Sequence, residues 1–429
     1  MKLVFKNVTI VNAYGREVRD VFVSGDKIVS PFDEEDARVI NGEGKFLIPG
    51  VIDPHVHFRE PGATLKEDFE SGSLAAAVGG VTTVLDMPNN SPAITTAELL
   101  EEKRDLVKGR SHVNYGFHFG ATGDNNEEIK KARGIKGVKV YMGSSTGDLL
   151  VSDSKKWVDI FKTAKEVDVP VVVHAENEER IRSRMDEFSG RTDAHVHTEI
   201  RDCECAKIAL SSAIAVRKKV GNKLHVAHMS CAEEVLLIKN NLDSRLSCEA
   251  TPHHLFFSEE DMVDSFLKMN PPLRSAEDMR TLWEAVRGGT VNCLATDHAP
   301  HTVEEKSRSY LEAPAGVPGV EFLLPLMLNE VKQNMLGFEQ LVGLLSAEAA
   351  RIFGLKGKGE ICEGMDADLV LVDMEKEMKI TRNMVRSKCG WSPYEGYLLK
   401  GWPVITVVNG EIVVEQGKVT EAMPGREVD

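Results

Sequence analysis

Residues 46–62 read Phe46-Leu47-Ile48-Pro49-Gly50-Val51-Ile52-Asp53-Pro54-His55-Val56-His57-Phe58-Arg59-Glu60-Pro61-Gly62. An apolar run ends in a His-x-His pair and gives way at once to a polar segment rich in Pro and Gly. Side chains two apart on a strand share one face, so both imidazoles point the same way. A buried strand that delivers two imidazoles to the start of a loop suits a metal at the mouth of a parallel barrel.

The rest of the chain repeats that strand-then-loop pattern. Apolar, β-rich runs lie at Leu47–Phe58, Val81–Pro88, Val113–Ala121, Gly137–Gly143, Val169–Glu176, Leu224–Ser230, Leu246–Pro252 and Val291–Pro300. Segments with helical spacing alternate with them, among them Lys155–Glu166, Cys203–Val220 and Cys231–Asn240. Eight βα units predict a (β/α)8 TIM barrel over residues 51–358. Residues 1–50 and 359–422 instead carry short alternating strands with turn signals such as Asn41-Gly42 and Asn409-Gly410. Neither end suffices for a core alone. They are expected to pair into one small β-sandwich domain with the barrel inserted between them, leaving Pro424–Asp429 as a frayed tail.

Composition narrows the function. A chain of 429 residues holds one large domain and a smaller one. A formal net charge of −15 disfavours a phosphate backbone as partner. No apolar stretch reaches bilayer length, and Met1-Lys2-Leu3-Val4-Phe5-Lys6 lacks a signal-peptide pattern. Seven scattered cysteines, from Cys203 to Cys389, do not form a disulfide framework and read as reduced thiols. The expectation is a cytoplasmic protein that acts on a small molecule, without nucleic-acid or membrane partners; a homo-oligomer is compatible with the sequence.

Catalytic groups of such a barrel sit at the carboxyl ends of its strands, a filter independent of any motif. His174 ends Val171-Val172-Val173, His228 follows Leu224–Ala227, and Asp297 follows Cys293-Leu294-Ala295-Thr296. Lys139 lies inside an otherwise apolar strand, where a charge is costly. A neutral buried lysine can add carbon dioxide, giving a carbamate whose two oxygens bridge two cations. His55, His57, Lys139, His174, His228 and Asp297 therefore predict a two-metal centre, able to share a hydroxide at neutral pH and polarise a carbonyl. The competing reading makes His174 and His228 core histidines and pairs Lys139 with Glu176. His195 and His197 have no strand before them and read as surface or loop residues. His225, three positions before His228, reads as facing the other side of its strand. His112, His118, His253, His254 and His298 read as structural. Arg59, two residues beyond His57, presents a planar fork suited to a carboxylate on the same side of an extended chain, unless it merely pairs with Glu60 or Glu67.

The runs DPHVHFREPG, VTTVLDMPNN, VKVYMG, VVVHAEN, HVAHMS, NPPLR and ATDHAPH together resemble the dihydroorotases, in the cyclic-amidohydrolase branch of the amidohydrolase superfamily. Gly364-Met365-Asp366-Ala367-Asp368-Leu369-Val370 resembles that superfamily's returning β segment, so the likeness spans nearly the whole chain. It implies reversible closure of N-carbamoyl-L-aspartate to L-dihydroorotate and water, a step of pyrimidine biosynthesis. It also implies two divalent ions per chain, zinc by donor type. His55 and His57 would hold one ion with Asp297, His174 and His228 the other, and the Lys139 carbamate would bridge them. Asp148 and Asp153 are the nearby alternatives for the bridge. Asp297 would also move the proton. Arg59, Asn89, Asn270 and His301 match substrate contacts, and the loop carrying Gly316 and Gly319 would offer backbone groups to the ring. Hydantoinases, dihydropyrimidinases and allantoinases are the nearest rivals, because the same metals serve them. A non-catalytic scaffold is the alternative from another class.

Overall fold

The computed structural model describes residues 1–145 and 149–429. Among these, eight parallel strands lie side by side in chain order: Val51–Val56, Val81–Asp86, Asn114–Gly120, Gly137–Tyr141, Val171–His174, Leu224–Val226, Leu246–Ala250 and Cys293–Leu294. The last meets the first through a parallel bridge between Val56 and His298, where His57 N–H donates to the His298 carbonyl at 2.8 Å. The predicted barrel is present, and every strand corresponds to one of the eight apolar runs.

Each strand is shorter than its run, and two of the breaks have a clear local reason. The first run is cut at Gly50, because a Cβ there would lie 2.0 Å from Thr82 Oγ1. Phe46–Pro49 before it pairs with the end strands, and Val51–Val56 after it enters the barrel. The eighth run keeps only Cys293–Leu294 as strand, since Asp297 turns into the left-handed region at φ +46°. Helices on the outside are closed by ordinary capping chemistry. Cys203–Val220, for example, starts on Asp202, which accepts from Cys205 N–H, and ends on Gly221 at φ +73°.

The two chain ends meet in a mixed nine-stranded sheet in which Phe46–Pro49 runs antiparallel to Leu369–Lys379 and parallel to Lys2–Asn12. That sheet has its own core, including Leu3, Phe5, Ile10, Leu369, Leu371 and Val407. A second, larger core joins barrel strands to the helices around them. Phe353 closes the barrel interior from below, with ring centroids 5.5 Å from His118 and 5.1 Å from His225. No helix of the described residues is long and apolar enough to cross a membrane.

The terminal residues correct one expectation. Pro424–Asp429 is not a frayed tail: Tyr115 N–H donates to the Arg426 carbonyl, Val428 N–H donates back to the Tyr115 carbonyl, and Glu427 meets Arg104 at 2.8 Å. Val428 is buried with Ile52, Leu85 and Val172 at the amino-terminal end of the barrel. One apolar residue in a polar stretch carries too little pattern to signal this docking.

Candidate active site

His55 is the penultimate residue of the first barrel strand, His57 lies one residue past its end, and His174 closes the fifth. His228 and Asp297 lie two and three residues beyond their strands, with backbone φ of +35° and +46°. Asp53 draws the two ends of the barrel together. Its carboxylate accepts from the hydroxyl of Thr296 at 2.5 Å and from the N–H groups of Thr296 and His55. His55, His228 and Asp297 consequently each place a donor atom within 4.8 Å of the others. His57 Nε2 lies 2.9 Å and His55 Nε2 3.3 Å from Asp297 Oδ1, while His174 Nδ1 lies 3.0 Å from His228 Nε2. All five side chains converge, as the strand-end filter expects.

The outer nitrogens define which inner ones carry lone pairs. His55 Nδ1–H donates to Glu249 Oε1 at 2.5 Å, His57 Nδ1–H to Asn89 Oδ1 at 2.6 Å, and His174 Nε2–H to Glu176 Oε2 at 2.8 Å. Burial, with nearby His55 and Arg59 adding to it, pushes His57 down to about 4, and burial lowers His174 and His228 as well. Burial raises Asp297, but the histidines around it win and hold it well below the usual carboxylate range. The ring nitrogens of His55 and His57 therefore face the Asp297 carboxylate, and those of His174 and His228 face each other, all at close range. Such a convergence of nitrogen donors on a carboxylate fits divalent cations, and outer carboxylates that fix tautomers are what metal-binding histidines use. Lys139 adds to the fit. It is fully buried, its Nζ has no hydrogen-bond partner among the described residues, and burial pushes its pKa down to about 8. Glu176 does not pair with it, being engaged instead by His174 and Arg201.

A model of the amidohydrolase family matches residues 46–413. The chain belongs to that family. A dihydroorotase of Halobacterium salinarum is 38% identical over 97% of this chain and 98% of that protein, and a dihydroorotase of Methanosarcina mazei is 37% identical over 90% and 88%. Among solved structures, the L-hydantoinase (dihydropyrimidinase) of Arthrobacter aurescens superposes with a TM-score of 0.94 at 31% identity, covering 99% of both chains. The dihydropyrimidinase of Brevibacillus agri NCHU1002 superposes at 0.93 with 28% identity, covering 100% of this chain and 98% of that one. This amidohydrolase is a metal-dependent hydrolase of cyclic amides.

The remaining residues singled out in this amidohydrolase fall into place unevenly. Arg59 is buried, but the strand has ended, and it reaches its position through a left-handed turn at φ +59° rather than along an extended chain. Neither Glu60 nor Glu67 pairs with it; Glu60 holds Arg110, and Glu67 is bound by Ser387 and Lys388 N–H. Arg59 Nε donates to the Pro300 carbonyl, and Nη2 lies 3.2 Å from His301 Nε2. His301 itself bridges Lys66 and the Ala315 carbonyl. Asn270 accepts from His197 at 2.9 Å. The N–H of Gly316 donates to the Lys268 carbonyl and that of Gly319 to His298 Nδ1, so both amides are engaged within the protein. Asp153 caps the helix Ser154–Glu166, and Asp148 lies outside the described residues.

Two histidine readings need correction. His197 is on the short helix Val196–Ile200, half-buried against Asn270 and the Met269 carbonyl, not on a surface loop. His225 also lies inside the barrel, because its strand stops at Val226 and face counting cannot be carried on to His228. It donates to Glu249 at 3.0 Å, and Glu249 also holds His55 and the N–H of His228. Glu249 is thus the hub that orients the histidines; a carboxylate on an otherwise apolar strand, the same signal that singled out Lys139, could have found it. Tyr141 and His253 were missed as well. Both are buried beside the cluster, and neither the Tyr141 hydroxyl nor either His253 ring nitrogen has a hydrogen-bond partner among the described residues.

Proposed function

We propose that the chain is a dihydroorotase, interconverting N-carbamoyl-L-aspartate and L-dihydroorotate. The observation that carries this choice within the cyclic amide hydrolases is Arg59. It is 6% exposed, and among the described residues no carboxylate lies within ion-pair distance of its guanidinium. A buried, uncompensated cation is costly, and a ring carboxylate on the substrate would compensate it with a bidentate pair. The curated relatives at 37–38% identity support the same choice.

A pair of divalent cations, zinc by donor type, would be held by His55, His57 and Asp297 on one side and His174 and His228 on the other, with the Lys139 carbamate between; it would polarise the ring carbonyl and acidify the attacking water. Asp297 accepts the proton of that water as it adds to the carbonyl carbon. It then returns the proton to the ring nitrogen as the C–N bond breaks, and the steps run in reverse for ring closure. Arg59 anchors the carboxylate, with Asn89 beside His57 and with Asn270 and His301 on the surrounding loops. Gly316 and Gly319 shape the wall by close backbone approach: a Cβ on Gly316 would come within 2.5 Å of the Ala299 carbonyl.

Hydantoinase or dihydropyrimidinase activity is the second reading, favoured by the solved-structure likeness. Turnover of dihydroorotate, hydantoin, dihydrouracil and allantoin by the metal-loaded protein separates the two. Dihydroorotate is expected to be preferred, and Arg59→Ala to raise its KM about 10- to 100-fold, the value of one charge-assisted contact of roughly 1.5–3 kcal/mol. Comparable turnover of the neutral rings, or a KM for dihydroorotate indifferent to Arg59, would defeat the assignment.

A further inference from the structure

Behind the histidine cluster lies a second group of reactive side chains. Cys203 is the first residue of the helix Cys203–Val220, and Cys231 is the N-cap of the helix Ala232–Lys239. Their sulfurs and a carboxylate oxygen of Glu233 all lie within 4.8 Å of one another, and the two thiols are in hydrogen-bond contact. Cys203 is half-buried and Glu233 exposed, so the group is open on one side, whereas Cys231 is buried. Arg274, 4% exposed, lies in electrostatic contact with both sulfurs and has one guanidinium nitrogen without a hydrogen-bond partner among the described residues.

Two thiols and a carboxylate could suit a soft metal ion. Their surroundings disfavour it: two helices turn their positive ends toward the sulfurs, and Arg274 adds a full buried charge. Glu234, to which the Cys231 thiol donates at 3.3 Å, opposes that charge, and contact with Cys203 together with burial pushes Cys231 well above the usual thiol range, so Cys203, half-buried at its helix start, is the thiol that meets an oxidant first. Cys205, Cys248 and Cys389 are likewise buried and pushed up to about 12, 12 and 11 by loss of solvent.

We propose that Cys203 and Cys231 are a redox modification site, which a hydroperoxide converts to a disulfide. The Cys203 thiolate attacks one peroxide oxygen and breaks the O–O bond, giving a sulfenic acid and hydroxide. The Cys231 sulfur then attacks the Cys203 sulfur, the S–O bond breaks, and the Cys231 proton leaves with that oxygen as water. Two thiols and one hydrogen peroxide thus give one disulfide and two waters. The bond is felt at the active site through a continuous chain of contacts. Arg274 holds Ser230, the neighbour of Cys231, and donates to the Arg201 carbonyl; Arg201 donates to Glu176, which fixes His174. Drawing the two helix starts together displaces the carboxylate that orients His174.

The test treats the metal-loaded protein with hydrogen peroxide and follows thiols, peptides and cyclic-amide hydrolysis together. Two of the seven thiols should be lost, a peptide pair joined through Cys203 and Cys231 should appear, and activity should fall about 10-fold, the scale for disturbing a group that holds a ligand. Dithiothreitol should reverse all three. Cys203→Ser should retain activity and block both the link and the inhibition; Cys203→Ala serves as second variant should the serine fold poorly. The proposal is overturned if the linked peptide never forms while other thiols oxidise, or if it forms without changing activity. Equal inhibition of the Cys203 variants overturns it too. So does a third bound zinc per chain that those variants lack, which would make the group a metal site.

Discussion

Lys139 is the residue on which the proposed two-metal centre turns. A primary amine buried without a partner is unstable as a cation, and burial keeps part of it neutral near physiological pH. The neutral amine is the form able to add carbon dioxide, and in the proposed centre the carbamate so formed would offset the charge of two cations. Lys139→Ala should therefore lower bound metal from two ions per chain toward one or none, and reduce turnover about 100-fold or more, a loss of roughly 2.7 kcal/mol in transition-state stabilisation. Elemental analysis of the purified variant, alongside its kcat, checks this. Full occupancy with undiminished turnover would remove Lys139 from the centre. The five residues at strand ends stood out because their position obeys the barrel rule, and Lys139 because a charge conflicts with the apolar strand around it. The residues that orient them did not, since whether Glu249 faces His55 or solvent depends on which strands become neighbours.

Among the elements, strands were easier to read than their ends. Each of the eight apolar runs contains a barrel strand, yet His228 and Asp297 lie past the last paired residue in left-handed conformations that hydrophobic pattern does not encode. Counting faces within a strand succeeded for His55 and failed for His225, whose neighbours follow a turn. The terminal segment failed for a different reason: its docking is carried by backbone hydrogen bonds to Tyr115, by ion pairs such as Glu427 with Arg104, and by the single apolar side chain of Val428. Val428→Asp should cost on the order of 2–4 kcal/mol, because it places a carboxylate without a partner among Ile52, Leu85 and Val172. A lowered unfolding midpoint with kcat unchanged at low temperature is the expected result, as the residue sits at the end of the barrel away from the histidines. An unchanged midpoint would mean the segment contributes nothing to the folded state.

At the scale of the whole molecule, the barrel and the end sheet share a seam that stores a titratable cost. Glu321 lies in that seam with Phe322, Trp402 and Pro403, 5% exposed; one carboxylate oxygen accepts from Arg386 N–H and the other has no partner among the described residues. Burial pushes its pKa up to about 8 from 4.5. The folded state thus holds a proton that the unfolded state has released between those two values, so this group's contribution to stability is greatest below pH 4.5 and declines as pH rises toward 8. Over a window from about pH 5.5 to about pH 7.5 the decline is roughly 2.5 kcal/mol. Glu321→Gln keeps the acceptor for Arg386 and has no proton to lose, so that share of the decline should vanish. Denaturant unfolding at the two pH values should show wild type losing more stability than the variant, while other groups such as Asp53, pushed up to about 7 by burial, titrate equally in both proteins and cancel. Parallel pH profiles for the two proteins would mean that Glu321 is solvated and that water enters the seam between barrel and sheet.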